Sequence, residues 1–276
     1  MSYRLPMHQR LANALSYGEF RVFFQPVVVV ATGEIVGAEA LCRWPQRDQT
    51  STPPETFIAQ AETSGFIIQL GDWVLRTAAD QAGRWQRQFN RPLRLAVNLS
   101  GRQFLHFNLI KGVEESLRAA NFKAADLDFE ITETIAMHNA EESVGVMRQL
   151  KSLGIGLSLD DFGTGYSSLS YLKRFPIDVL KIDKSFVRDI PADANDLAIV
   201  SAIIAMAHAL GLKVIAEGVE TQAQWHFLRD CGTEFAQGYY FGRPLPAPEF
   251  EALLERGGPL LPLAAEPAQG ISGTPA

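Results

Sequence analysis

An α/β barrel of eight strands is the fold class the sequence predicts, and three observations predict it. Eight β-rich runs alternate with helix-like stretches, the pattern of parallel strands joined by right-handed crossovers. The chain has 276 residues, close to the ~250 that eight such units occupy as one domain. Carboxylates and amides gather where the predicted strands end. On the first two observations alone, a doubly wound open sheet is the rival architecture.

Taken in order, residues 8–17 carry Leu11, Ala14 and Leu15 at helical spacing. Residues 21–30 are rich in Val and Phe but broken by Pro26, which marks a strand's edge or its end. Thr32-Gly33 is a turn, and residues 34–44 form the second strand. The remaining strands are predicted at 93–99, 127–131, 155–160, 179–183, 213–217 and 235–240. Helices are predicted at 54–62, 73–89, 105–120, 140–153, 167–175, 196–210 and 222–230. Residues 1–7 read as a leader, 8–256 as the barrel, and 257–276 as a Pro/Gly-rich, disordered tail, with eight Gly or Pro in 20 residues.

Composition narrows the function classes. Hydrophobic residues are 47% and charged residues 20%, which excludes wholesale disorder. A net charge of −6 argues against a general duplex nucleic-acid binder. Two cysteines, Cys42 and Cys231, are too few for a disulfide framework and suit a reducing, cytoplasmic setting. The longest internal stretch free of Asp, Glu, Lys and Arg runs for 16 residues, 197–212. It is short for a membrane span and is expected as a buried helix with His208 a satisfied core residue. Arg76, Arg84, Arg87, Arg91 and Arg94 read as a solvated face.

The strand ends carry the chemistry. In a parallel barrel they meet at one rim, where active sites of such barrels lie. Glu39, Asn98, Glu130, Asp160, Asp161, Lys181, Glu217 and Gln237 are therefore expected to converge. So many carboxylates in one mouth repel one another and would take up protons unless cations intervene. Hard oxygen ligands with one Asn carbonyl favour Mg²⁺ or Mn²⁺, and no Cys or His in the set favours Zn²⁺. Neighbouring Asp160 and Asp161 point to opposite faces of a strand. Both reach one site only if the chain turns there, as Gly163 and Gly165 permit. Glu39, Leu41 and Arg43 share a face, placing a guanidinium suited to a phosphate oxygen beside a metal ligand. Lys181 reads either as a structural ion pair or as a group that stabilises charge and positions water.

These residues resemble a known family. Glu39-Ala40-Leu41 with Arg43-Trp44, Val97-Asn98-Leu99-Ser100, Glu130-Ile131-Thr132-Glu133, Asp160-Asp161-Phe162-Gly163-Thr164-Gly165-Tyr166-Ser167-Ser168, Lys181-Ile182-Asp183, Ala216-Glu217-Gly218-Val219-Glu220 and Gln237-Gly238-Tyr239 are similar to the motifs of the EAL-domain cyclic di-GMP phosphodiesterases. The resemblance spans about residues 8–255. It implies an α/β fold, a modified (β/α)8 TIM barrel with the first strand antiparallel. It implies hydrolysis of cyclic di-GMP to linear 5′-pGpG with two Mg²⁺ or Mn²⁺ ions. By the same resemblance Glu39, Asn98, Glu130 and Asp160 hold one ion, and Asp160, Asp161 and Glu217 hold or support the other. Lys181 contacts the attacking water, with Glu217 and Glu39 completing the catalytic set. Gln237 supports the metal shell, and Gln25, Leu41, Arg43, Asp183 and Gln237 form the substrate-binding set. Glu133 anchors the loop of Asp161, Phe162, Gly163 and Thr164, which the family ties to dimerisation and activity. A homodimer and a sensor domain or partner regulator are further expectations. The departures are Gly242, where the family more often has Ser or Ala, and an irregular stretch at 47–54. No Gly-Gly-Asp-Glu-Phe string is present. A catalytically silent receptor for the same ligand is the second reading, and an unrelated metal-dependent barrel enzyme the third.

Overall fold

β-Branched and aromatic runs become strands here, and amphipathic runs between them become the helices that cover their outer faces. The computed structural model describes residues 7–45, 51–164 and 169–260. Helix α1 (Met7–Ser16) precedes strands β1 (Arg21–Val29) and β2 (Ile35–Pro45), which form a hairpin, and a short β3 (Ser51–Thr52). Helices α2 (Pro54–Ser64) and α3 (Ile67–Phe89) lead to β4 (Arg94–Asn98). Next come α4 (Gly101–Phe104), α5 (Leu109–Ala120), β5 (Leu127–Thr132), α6 (Glu133–His138), α7 (Ala140–Ser152) and β6 (Gly156–Phe162). Then follow α8 (Leu169–Leu172), β7 (Val179–Ile182), α9 (Lys184–Val187), α10 (Ala194–Ala209), β8 (Lys213–Ala216) and α11 (Gln222–Asp230). The chain finishes with β9 (Phe235–Ala236), β10 (Leu245–Pro246) and α12 (Ala247–Arg256).

Strands β2, β4, β5, β6, β7, β8 and β9 pair in parallel, in that order. Strand β1 closes the ring by pairing antiparallel with both β2 and β9. This is a closed eight-stranded barrel with its first strand reversed. Pro26 sits inside β1 opposite Ala38, and a register shift follows at Val27/Val28. The barrel closes past this interruption.

Helix α3 shows how the wrapping is encoded. Leu70, Val74, Ala78, Ala82 and Trp85 recur every third or fourth residue and are buried. Asn90, at φ 48°, ends the helix in the left-handed conformation that Asn tolerates. Ser100 and Thr221 each close a capping box with Gln103 and Gln224, satisfying donors at the starts of α4 and α11. A second apolar cluster joins α1, α2 and the outer side of β2 through Leu11, Phe20, Phe57 and Trp44. Trp44 Nε1 donates to Glu19 Oε2 at 3.0 Å.

At the lower end of the barrel, Gly156 faces Asp128 directly across β5 and β6. Any side chain there would have to displace the Asp128–Arg94 pair. A Cβ would stand 1.9 Å from Asp128 Oδ1 and 2.7 Å from Arg94 Nη2.

Some expectations change. His208 is not in the core; it lies on the outer side of α10, 3.2 Å from Glu234 Oε1. Helix α10 buries Val200, Ile203, Ile204 and Ala207 while leaving Ile199 and Leu210 exposed, because the charge-free stretch is apolar on every side. Arg94 departs from the solvated face and pairs with Asp128. The predicted 105–120 helix starts at Leu109, and α3 starts six residues before its prediction, at Ile67. The predicted tail lies, beyond Leu260, outside the described residues; Leu260 itself is buried and donates its N–H to Gly33 O at 2.8 Å. Among the described residues no helix is long and apolar enough to cross a membrane.

Candidate active site

The parallel strands all open at one mouth, and residues at or near their C-terminal ends meet there, with Glu39 from within the longer β2. Lys181, on β7, is 1% exposed. Its Nζ lies 2.6 Å from Glu217 Oε1, 2.8 Å from Glu130 Oε1 and 3.5 Å from Asp160 Oδ1. These carboxylates come from just beyond β8, from β5 and from β6. A second group centres on Glu39 of β2. Asn98 Nδ2 donates to Glu39 Oε1 and Gln237 Nε2 to Glu39 Oε2, both at 2.6 Å. Gln237 Nε2 also reaches Gln25 Oε1 at 2.9 Å.

The electrostatics are those of excess negative charge out of water. Burial and the neighbouring Glu39 push Glu130 well above the usual carboxylate range, against the pull of Lys181. Burial raises Glu217 to about 7 although Lys181 opposes it. Asp161 rises through burial and the Asp160 charge. Glu39 is the exception. Burial raises it, but Lys181 and the hydrogen bonds from Gln237 and Asn98 prevail and hold it below its usual value. Burial alone would lower Lys181; Glu130, Glu217, Glu39 and Asp160 together lift it well above the ordinary lysine value.

The chain does turn between the two aspartates. Asp161 has φ 54°, a left-handed backbone that Asp tolerates, and the β6–β7 register shifts there. The turn thus begins at Asp161 itself rather than at the glycines. Gly163 follows at φ 97° and donates its N–H to Glu133 Oε2 at 3.1 Å. Thr164 Oγ1 donates to Asp161 O at 2.8 Å. Gly165 lies outside the described residues.

The donor set suits a hard divalent cation. Every candidate ligand offers oxygen: carboxylates of Glu39, Glu130, Asp160, Asp161 and Glu217, and the amide oxygen of Asn98. Asn98 spends its Nδ2 on Glu39, so its Oδ1 stays free for a cation. Glu130 Oε2 is buried without a hydrogen-bond partner. Among the described residues no three His, Cys, Asp or Glu groups already stand at metal-ligand spacing. The Lys181 ammonium occupies the centre instead, so ligation requires the carboxylates to turn from it toward the ion.

A family model described as EAL domain matches residues 8–244. The chain belongs to the EAL-domain family. This EAL domain is 44% identical over 250 residues to the cyclic di-GMP phosphodiesterase NbdA of Pseudomonas aeruginosa, spanning 91% of this chain and 32% of that protein. It is 41% identical over 246 residues to the cyclic di-GMP phosphodiesterase PdeR of Escherichia coli, spanning 89% of this chain and 37% of that protein. The chain spans about a third of the length of these curated relatives. A solved structure described as the PaMucR phosphodiesterase in complex with c-di-GMP superposes with a TM-score of 0.85 at 41% identity, over 88% of this chain and 99% of that one.

The remaining residues of interest fall around the same mouth of the EAL domain. Leu41 and Arg43 follow Glu39 at alternate positions and are half-buried, while Cys42 and Trp44 point outward to the second apolar cluster. Burial lowers Arg43 against the pull of Glu39. Asp183 lies just past β7 and caps α9, its Oδ1 accepting Ser185 N–H at 2.9 Å. Strand β9 stops at Ala236, so Gln237 stands at a turn and not inside a strand. The sequence reading missed the backbone that holds this turn. Gly238 lies against Val219, where a Cβ would come within 2.1 Å of the Val219 carbonyl oxygen. The Gln-Gly pair after a strand was the available signal.

Proposed function

We propose that this chain hydrolyses one phosphodiester bond of cyclic di-GMP to linear 5′-pGpG, using two Mg²⁺ or Mn²⁺ ions. The observation that carries the proposal is the buried Lys181 among Glu130, Asp160 and Glu217, beside Glu39 held by Asn98 and Gln237. The relatives named above as cyclic di-GMP phosphodiesterases support the substrate. When bound, the ions supply a water of lowered pKa and positive charge opposite the phosphoryl oxygens.

The protein groups divide the rest of the work. Glu39, Asn98, Glu130 and Asp160 would hold one ion; Asp160, Asp161 and Glu217 would hold or support the other. Lys181, its carboxylate partners turned toward the ions, would donate to the attacking water. Arg43 offers its guanidinium to a phosphoryl oxygen two residues along the strand from Glu39. Leu41, Asp183 and Gln237 complete the substrate pocket. Glu133 fixes the Asp161–Thr164 loop through Gly163.

We further propose one barrel domain over residues 8–256, a cytoplasmic location and a homodimer. The exposed Ile199 of α10 and Leu210 at its C-cap support self-association. Sedimentation at micromolar concentration reads it, and a monomer there defeats it. A sensor or partner domain fits a chain that covers a third of its relatives.

The decisive experiment measures pGpG released in Mn²⁺ by wild type and by Glu39→Ala. The wild type is expected to release pGpG, and the variant to lose activity by at least about a hundredfold with its fold intact. A wild type that binds cyclic di-GMP without cleaving it would favour the silent-receptor reading. A variant near wild-type turnover would refute the metal assignment.

A further inference from the structure

We propose that the base of the barrel holds a second binding site, separate from the mouth, for a small hydroxyaryl carboxylate. The layer of side chains beneath the mouth leaves the room for it. A strand returns to the same face every two residues, so the residue two positions below each mouth group also faces the interior. Below Glu39, Asn98 and Asp160 these residues are Gly37, Ala96 and Ser158. Below Lys181, Glu217 and Gln237 they are Val179, Ile215 and Phe235, and on the reversed β1 Val27 stands below Gln25. The interior of such a barrel is ordinarily filled by bulky branched side chains. Here Gly37, Ala96 and Ser158 fill little of it, and Asp128, below Glu130, is held by Arg94. All eight residues of this layer line one cavity of about 420 Å³, a size that suits a small-molecule ligand.

The walls are apolar with one polar exception. Val27, Val179 and Ile215 form a cluster apart from the main core, with Val36 and Phe235 packed against it. Ser158 is 2% exposed, and its hydroxyl has no hydrogen-bond partner among the described residues. Buried hydroxyls are ordinarily paired, so this one is suited to a polar group that enters the cavity.

The rim selects the charge. Gly154 and Gly211 stand exposed at the opening and bear no side chain to close it. Arg94 and Lys151 are matched by Asp128 and Asp178. Lys213 has no carboxylate partner among the described residues; its Nζ lies 5.7 Å from the centroid of the Phe235 ring. Three cations against two carboxylates favour an anion at the rim. The deep wall adjoins the carboxylates of the mouth, Glu130 first, and disfavours one there. The ligand's carboxylate therefore stays with Lys213, and its hydroxyl goes inward to Ser158. Ser158 pairs with Val179 and Val179 with Lys213, which sets the two positions two strand spacings apart, ~10 Å along the sheet. A hydroxyl and a carboxylate at opposite ends of one aromatic ring bridge that interval.

The test titrates the full chain, without metal or cyclic di-GMP, with 4-hydroxyphenylacetate and reads binding from the saturation-transfer NMR signal of its ring protons. Saturable binding is expected with a Kd below about 1 mM. Phenylacetate, which lacks the hydroxyl, is expected to bind about fivefold more weakly, and 4-hydroxybenzyl alcohol, which lacks the carboxylate, at least about tenfold more weakly. Lys213→Glu, at an exposed position, is expected to weaken 4-hydroxyphenylacetate at least about tenfold, whereas Arg43→Ala, at the mouth, is expected to leave it unchanged. Ser158→Leu fills the cavity and is expected to abolish binding; thermal unfolding reports whether it folds, and Lys213→Glu decides the matter if it does not. No saturation below about 5 mM, undiminished binding by Lys213→Glu, or loss of binding in Arg43→Ala would each overturn the proposal. The readout needs neither metal nor cyclic di-GMP, so failure here leaves the reading of the mouth standing, and failure of that reading leaves this site standing.

Discussion

The two ends of the barrel are built from the same strands and treat charge in opposite ways. At the base Arg94 and Lys151 each have a carboxylate of their own. Arg94 Nε and Nη2 bond Asp128 Oδ2 and Oδ1 at 2.6 and 2.5 Å, a bidentate fork. Lys151 Nζ lies 2.7 Å from both oxygens of Asp178, which also accepts Leu157 N–H. At the mouth, one ammonium serves Glu130, Asp160 and Glu217. Strand β5 supplies both ends, Asp128 to the base and Glu130 to the mouth, two residues apart. Between them lies a cavity of about 420 Å³ walled by Val27, Ala96, Ser158, Val179 and Ile215, with Glu130 in its lining. Height in the barrel, not strand identity, decides whether a carboxylate stabilises the fold or waits for a partner from outside. Neutralised pairs belong to the stability face, and unmatched ones to the working face.

That contrast can be broken most severely at Lys181. Lys181→Met leaves buried carboxylates without a counter-charge. In metal-free protein it is expected to cost about 3–5 kcal/mol in urea unfolding and at least about a hundredfold in kcat. Retention of both would mean that the ammonium is dispensable and the contrast false. A smaller effect comes from pH. Glu217, raised to about 7, and Glu130, also raised, hold protons in the native state that the unfolded chain releases above the ordinary value of 4.5. Between those limits the native protein binds more protons than the unfolded one, so the metal-free fold loses stability as pH rises from 5 to 8. Glu39, held low, acts in the opposite sense only below the ordinary value. Saturating Mn²⁺ is expected to remove the slope; an apo slope of zero or of opposite sign would contradict the assignment. The mildest test is at the base. Arg94→Ala should lower stability by about 1–2 kcal/mol, discounted because Arg94 is half exposed. Turnover should stay within about twofold of wild type, and a larger loss would tie the base to the chemistry.

What could be read from the sequence follows from periodicity and position. The barrel was legible because strands and helices alternate, and the convergence of Glu130, Asp160, Lys181 and Glu217 because each stands within two residues of a strand end; Glu39 lies inside β2, near the last rungs of its parallel pairing with β4. The reversed first strand came from the resemblance, with Pro26 as its only local sign. Backbone conformation was harder. The glycines pointed to a turn near Asp161, but an aspartate carries the left-handed angle itself. Side-chain pairing was hidden for a different reason. Arg94 looks like one more arginine in a solvated run until β4 sets it beside Asp128, 34 positions away in sequence. His208 misled because α10 lacks a polar stripe, so nothing in its residue pattern marks which side faces out. The hold of Gly242 on Gln25 spans 217 positions and leaves no local trace.

Gly156 has a consequence for how such a barrel can change over generations. Its missing side chain is the room that the Asp128 carboxylate and the Arg94 guanidinium occupy. An alanine there would push the carboxylate aside and disturb its fork with Arg94, and is better accommodated once position 128 has shrunk to a small neutral residue. The order of the two changes therefore matters: the acid lost first and the methyl gained second is the route that disturbs this ion pair least.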